Sequence, residues 1–373
     1  MTGSSEVSDR PRVAVIFGGR SSEHSISCLS AANVLGALDR GRYDVSAIGI
    51  ARDGSWHHVS DDPASWVRNG DELPSVEPSG RSAVLSLSPD AGAGAVEGLI
   101  EADVVFPVLH GPFGEDGTIQ GALELAGIPY VGSGVLASAA TMDKQATKVM
   151  LASAGLPVGG YVTIADAQWH RERDHVLARV SELQFPVFVK PARAGSSLGI
   201  SKVHSPPGLL AAIDEARGHD RKLIIEESIE NAREIECGVL AEGGFASPRA
   251  SVCAEIIIGG DHEFYDFTAK YLDETARLFV PADLPDAVHK ALGELAISAF
   301  QALGCEGLAR VDFFVTRDGR VAINEVNTMP GFTSISLFPR MWQASGLPYP
   351  QLVDHLIRIA LDRPPPIPNR SSG

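Results

Sequence analysis

The stretch GLARVDFFVTRDGRVAINEVNTMPG, residues 307–331, leaves its part of the chain few choices. Two alternating runs flank Asp318-Gly319, the strongest short-range cue for a β-hairpin, and imply a two-residue type I′ turn. That turn sets Arg310 opposite Asn327 and Asp312 opposite Glu325. Side chains alternate between faces, so all four share one side of the sheet. Two carboxylates directly opposite each other repel unless something positive lies between them. Asp312, Glu325 and Asn327 form an oxygen-only set that suits a hard cation such as Mg²⁺, its shell completed by water and substrate phosphates. Arg310 adds a fixed positive charge able to hold a phosphoryl or carbonyl oxygen. The bland alternative is a solvated sheet face on which Arg310 merely neutralises the acids. Phe313, Val315, Val321 and the Met329-Pro330-Gly331 turn favour a structured site.

Composition narrows the partners. The 373 residues carry a formal net charge of −16, which argues against a nucleic-acid binder. Apolar runs are far shorter than the ~18 residues that span a bilayer, so no membrane is expected as a partner. The opening MTGSSEVSDRPR lacks the apolar stretch of a signal peptide, which points to a cytoplasmic protein. Cys28, Cys237, Cys253 and Cys305 show no paired spacing, so neither a disulfide framework nor a zinc site is expected. Only seven of the 31 basic residues are lysines, the first at Lys144, and a scarce residue in an apolar setting merits a closer look.

Strand and helix signals alternate at the start. RVAVIFGG and YDVSAIGIA read as strands around the helix SISCLSAANVLGAL; DVVFPVLHG, the helix IQGALELAG and the short strand IPYVGSG follow a Gly/Pro/Ser-rich stretch, Asp53 to Gly98. This predicts a doubly wound parallel α/β domain over 11–139. A helix from Ala140 to Ala154 leads into a small α+β unit over 140–227, and a C-terminal unit with antiparallel strands, a long loop and the hairpin fills 228–363. The Pro-rich tail, 364–373, reads as disordered.

Lys190 ends the apolar strand FPVFVK, and ARAGSSLG follows at once. Gly195 and Gly199 let backbone approach a ligand, while Ser196 and Ser197 supply hydroxyls and N–H donors, the ingredients of a phosphate cradle. A hairpin loop with a snorkelling lysine is the alternative. Lys144 in TMDKQATK, Glu226 and Glu227 at the end of KLIIEESI, and Glu234 in AREIECG are weaker signals. The acids could meet an adenine edge or ribose hydroxyls, or simply face solvent. In the first domain, Glu23 lies near a helix start, where an acid is favourable on dipole grounds alone or could hold an ammonium. His110 sits on a loop at the carboxyl edge of the sheet, where open α/β folds bind ligands. DHEFYDFTAKYLDETARLF is a long connection of the kind that makes lids, and carries Lys270 and Tyr271.

Together, HGPFGEDGTIQG, TMDKQATK, FPVFVKPARAGSSLGISKV, FYDFTAKY and RVDFFVTRDGRVAINEVNTMPGFTSISLFP resemble the D-alanine–D-alanine ligases of the ATP-grasp superfamily, over most of residues 11–363. The resemblance implies an ATP-grasp fold behind the N-terminal α/β domain. It implies ATP-dependent joining of two D-alanine molecules through an acyl phosphate for peptidoglycan, with two Mg²⁺ (Mn²⁺ a possible substitute) and a homodimer. By resemblance, Lys144, Lys190 and the Gly195–Gly199 loop with Ser197 meet the phosphates of ATP. Glu226, the backbone at Glu227 and Ile229, and Glu234 hold adenosine. Asp312, Glu325 and Asn327 hold the metal. Glu23, with Ser196 and Tyr271, binds the first D-alanine beside His110. Arg310 and the Gly331 N–H form an oxyanion hole, and Ser336, the Leu337 N–H and Lys270 hold the second carboxylate. Phe267 and Thr268 depart from the commonest family wording, but the Lys-Tyr pair favours D-alanine as second substrate. The alternatives are another ATP-grasp enzyme, such as a depsipeptide ligase or carboxylase, and a two-lobed binding protein without catalysis.

Overall fold

The computed structural model describes residues 10–87, 98, 100–195, 198–244, 246–257, 277–333 and 335–363. The first unit is a four-stranded sheet of order β3-β2-β1-β4, with β1 Arg12–Gly18, β2 Asp44–Ile50, β3 Trp56–Val59 and β4 Val104–Val108. β1 runs parallel to β2 and β4, as the βα alternation predicts, and every side chain from Val13 to Phe17 is fully buried. β3, at 56–59, is an antiparallel edge strand inside the Gly/Pro/Ser-rich stretch. IPYVGSG makes only one bridge, Tyr130 to Val105, not a strand. The predicted helix 140–154 is instead two, Val135–Met142 and Lys144–Ser153. Asp143 breaks it: its carboxylate accepts from the N–H groups of Gln145 and Ala146 and so starts the second helix.

The second unit is an antiparallel sheet of order β5-β8-β6-β7: β5 Tyr161–Ala165, β6 Val187–Pro191, β7 Ser201–Val203 and β8 Lys222–Glu227. It has its own apolar core around Val187, Val189, Ile213 and Ile225. The third is an antiparallel sheet of order β11-β10-β9-β12-β13: β9 Arg233–Leu240, β10 Arg249–Ile257, β11 Arg277–Phe279, β12 Leu308–Val315 and β13 Val321–Asn327. One core continues from the first unit into the third: Phe106 meets Phe332 edge-on at 5.8 Å, and Trp342 and Leu356 join the same cluster. The helix Leu337–Ala344 was hidden by Pro339, which sits in the first turn, where a missing N–H breaks no helical bond.

The hairpin reaches the expected pairing by a different path. The turn is not a two-residue type I′: Thr316 N–H donates to the Arg320 carbonyl, and Gly319 N–H returns to the Thr316 carbonyl. That makes a three-residue loop with Gly319 at φ +82°, the left-handed position glycine fills without strain. The extra loop residue shifts the register by one, so Phe313 pairs with Ile323. An irregularity at Asn324 shifts it back, and Asp312 faces Glu325, with Arg310 facing Asn327. The bulge also switches faces. Val321 and Ile323 point into the core with Phe313 and Val315; beyond it Val326 does, leaving Glu325 and Asn327 on the other side.

Candidate active site

One cleft of about 1320 Å³ lies among the three units. It is lined by Glu23, His110, Lys144, Lys190, Glu226, Glu227, Ile229, Glu234, Arg310, Asp312, Glu325, Asn327, Gly331, Ser336 and Leu337. Of the predicted site residues within the described part, all but Gly199 are thus on its wall. Ser196, Ser197, Lys270 and Tyr271 lie outside the described residues.

On the β12–β13 face, the Arg310 guanidinium forks onto Asp312, Nε to Oδ1 and Nη2 to Oδ2, both 2.7 Å. Asn327 Nδ2 donates to Asp312 Oδ2 at 3.1 Å and to Glu325 Oε1 at 3.3 Å. Arg310 also lies 3.1 Å from Glu236, the residue β9 places opposite Asp312. Burial works against this guanidinium, but Asp312, Glu236 and Glu325 hold its pKa well above the ordinary value. Positive charge on this face therefore comes from Arg310, against Asp312 and Glu236, while the Asn327 amide bridges Asp312 and Glu325. A divalent ion still fits the donors: two carboxylates with spare lone pairs and an amide oxygen, beside space for phosphate oxygens. Glu236 escaped the sequence reading because its partner strand is distant in the chain; its alternation with Glu234 on one strand was the available signal.

Glu23 is buried at the start of the helix His24–Ala37. Its carboxylate lies so close to two glycines that a Cβ would come within 2.6 Å at Gly111 and 2.9 Å at Gly195. Gly111 is also at φ +74°. Gly199, expected to approach a ligand, packs on His219 instead, 2.4 Å from where its Cβ would be. His110 is buried. Its Nε2 meets Ser30 Oγ at 3.0 Å and its Nδ1 the Met329 carbonyl at 3.2 Å, and burial pushes its pKa down. Glu115, missed from sequence, accepts the Gly111 N–H at 2.5 Å; burial and the charge of Glu23 push it up to about 8. Its place four residues after Gly111, in the loop GPFGEDGT, was the only signal.

The central unit brings cations. Lys190 Nζ donates to Glu226 at 2.5 Å, and Lys144 Nζ to the Ala194 carbonyl at 2.9 Å. Burial alone would raise the Glu226 pKa, but Lys190 and Lys148 hold it down at about 2. Glu227 Oε1 accepts from the Gln184 N–H at 2.9 Å. On the far wall, Ser336 precedes the helix Leu337–Ala344 and turns its hydroxyl to Thr333, leaving the first-turn N–H groups without a side-chain cap, an anion-friendly end.

Two family models match this chain: one described as D-ala D-ala ligase N-terminus over residues 12–133, and one as D-ala D-ala ligase C-terminus over 150–358. The chain belongs to the D-alanine–D-alanine ligase family. Curated D-alanine–D-alanine ligases from Pseudarthrobacter chlorophenolicus and Streptomyces griseus are 55% and 52% identical, over 95% of this chain and 95% and 93% of theirs. Among solved structures, the VanG D-Ala:D-Ser ligase from Enterococcus faecalis superposes with a TM-score of 0.82 at 37% identity, covering 94% of this chain and all of the other. The D-alanine–D-alanine ligase from Coxiella burnetii gives 0.79 at 36%, covering 95% of each. Among the described residues no helix is long and apolar enough to cross a membrane.

Proposed function

We propose that this ligase joins two D-alanine molecules into D-alanyl-D-alanine for the cell wall, in the cytoplasm, with ATP as the energy source. The observation that carries it is the convergence on one cleft of a buried carboxylate from the first unit, lysines from the second and the paired acids of the third. Glu23 holds the ammonium of the first D-alanine, with His110 alongside. The carboxylate of that D-alanine attacks the γ-phosphorus of ATP; the bond to the β-phosphate oxygen breaks, ADP leaves and an acyl phosphate forms. Lys144 and Lys190 hold phosphate oxygens, and adenosine lies along Glu226, Glu227, Ile229 and Glu234.

The second D-alanine lays its carboxylate at Ser336 and the Leu337 N–H. Its deprotonated amine attacks the acyl carbon, the oxyanion faces Arg310 and the Gly331 N–H, and inorganic phosphate departs. Asp312, Glu325 and Asn327 would hold Mg²⁺, whose contribution is to neutralise charge on the transferring phosphoryl group. Two ions and a homodimer remain part of this reading. ADP release in the presence of ATP, Mg²⁺ and D-alanine tests it, with L-alanine, bicarbonate, and D-alanine plus D-serine or D-lactate as comparison arms. The expected result is release with D-alanine alone. Release only when D-serine or D-lactate is added would move the second substrate, and none with any would leave a binding protein.

A further inference from the structure

Three side chains from three elements meet behind the nucleotide end of the cleft. Glu226 is the next-to-last residue of β8, opposite Tyr161 on β5 and Phe188 on β6. Lys190, two residues along β6, reaches it diagonally at 2.5 Å. Lys148, on the helix Lys144–Ser153, reaches the other carboxylate oxygen at 3.0 Å and lies 5.9 Å from the centre of the Tyr161 ring. Lys148 is 4% exposed, and it is not on the cleft wall, whereas Lys190 and Glu226 are.

This asymmetry matters because a buried carboxylate with a single counter-ion holds it fast: releasing the lysine would strand an uncompensated charge. A second ammonium on the side away from the cleft removes that obstacle. We propose that Lys148 is a positioning residue of the nucleotide site, keeping Glu226 charged and in place while Lys190 turns to the phosphates of ATP. Each carboxylate oxygen has two lone pairs, so Glu226 can hold Lys148 and still accept an N–H from an amino-bearing base edge. The inference rests on the ligase reading above.

The test is ADP release at saturating D-alanine and Mg²⁺, with ATP and inosine triphosphate as nucleotides. Lys148→Met is expected to raise the KM for ATP about tenfold or more and to erode the preference for ATP, with the KM for D-alanine within about twofold of wild type. Lys148→Arg, which keeps the charge, is expected to restore most of both. Should Lys148→Met not fold, Glu226→Gln is compared with Glu226→Gln/Lys148→Met, since an amide needs no counter-ion; equal KM values for ATP are expected. Unchanged KM and nucleotide preference in Lys148→Met, or a further rise in the double variant, overturns the proposal. Wild-type protein that releases no ADP with ATP and D-alanine overturns the ligase reading instead.

Discussion

Asp312 and Glu325 stand directly opposite each other on adjacent antiparallel strands, on the cleft side of the sheet, with the Arg310 guanidinium forked onto Asp312. Asp312 is held by the Arg310 fork; at Glu325, which accepts from Asn327 Nδ2 at 3.3 Å, an amide keeps the shape of the side chain. Glu325→Gln is therefore expected to fold normally and to lower turnover by orders of magnitude, read as ADP release. Near-wild-type turnover would remove this residue from the metal site.

Gly111 tests the packing around Glu23. An alanine there meets both a left-handed backbone and a carboxylate oxygen 2.6 Å from its Cβ. Gly111→Ala is expected to cost roughly 1–3 kcal/mol in thermal or denaturant unfolding. It should also raise the KM for D-alanine, because Glu23 must move. Unchanged stability together with unchanged KM would show that the loop yields freely.

The Ser336 hydroxyl is held by Thr333 at the head of the helix Leu337–Ala344. Ser336→Ala is expected to raise the apparent KM for the second D-alanine about tenfold while leaving the KM for ATP within about twofold. A rise confined to ATP would place this helix end at the wrong substrate.

Glu115 gives a pH signature. Its folded-state pKa is raised to about 8 from an ordinary value of 4.5. Between those values the folded protein binds a proton that the unfolded chain has released, so its contribution to stability falls as pH rises and levels off above about 8. Glu115→Gln removes the titration. The stability of the variant relative to wild type is expected to improve from about pH 5 to about pH 8 in denaturant titrations. A pH-independent difference would show the carboxyl to be ionised throughout.

How much of this was legible in the chain is clearest at the hairpin. The pairing of Asp312 with Glu325 follows from alternation around Asp318-Gly319, yet two errors cancelled in reaching it: the loop holds three residues, and Asn324 is bulged. The signal was present. In VAINEVN the core residues Val321 and Ile323 are two apart, but the next, Val326, is three further on, which breaks the period of a flat strand.

Local pattern also determined the parallel first sheet, the lysine at the end of β6 and the glycine turns, because each depends on neighbours within a few residues. What only the tertiary structure decided are the partners brought from far along the chain. Glu236 comes to Arg310 from another strand, Lys148 to Glu226 from the helix Lys144–Ser153, and Glu23 to Gly195 across the cleft. Periodicity tells which face a side chain takes, but the charge it meets there is set by which strands pair and which elements pack against them, and no spacing along a single strand encodes that.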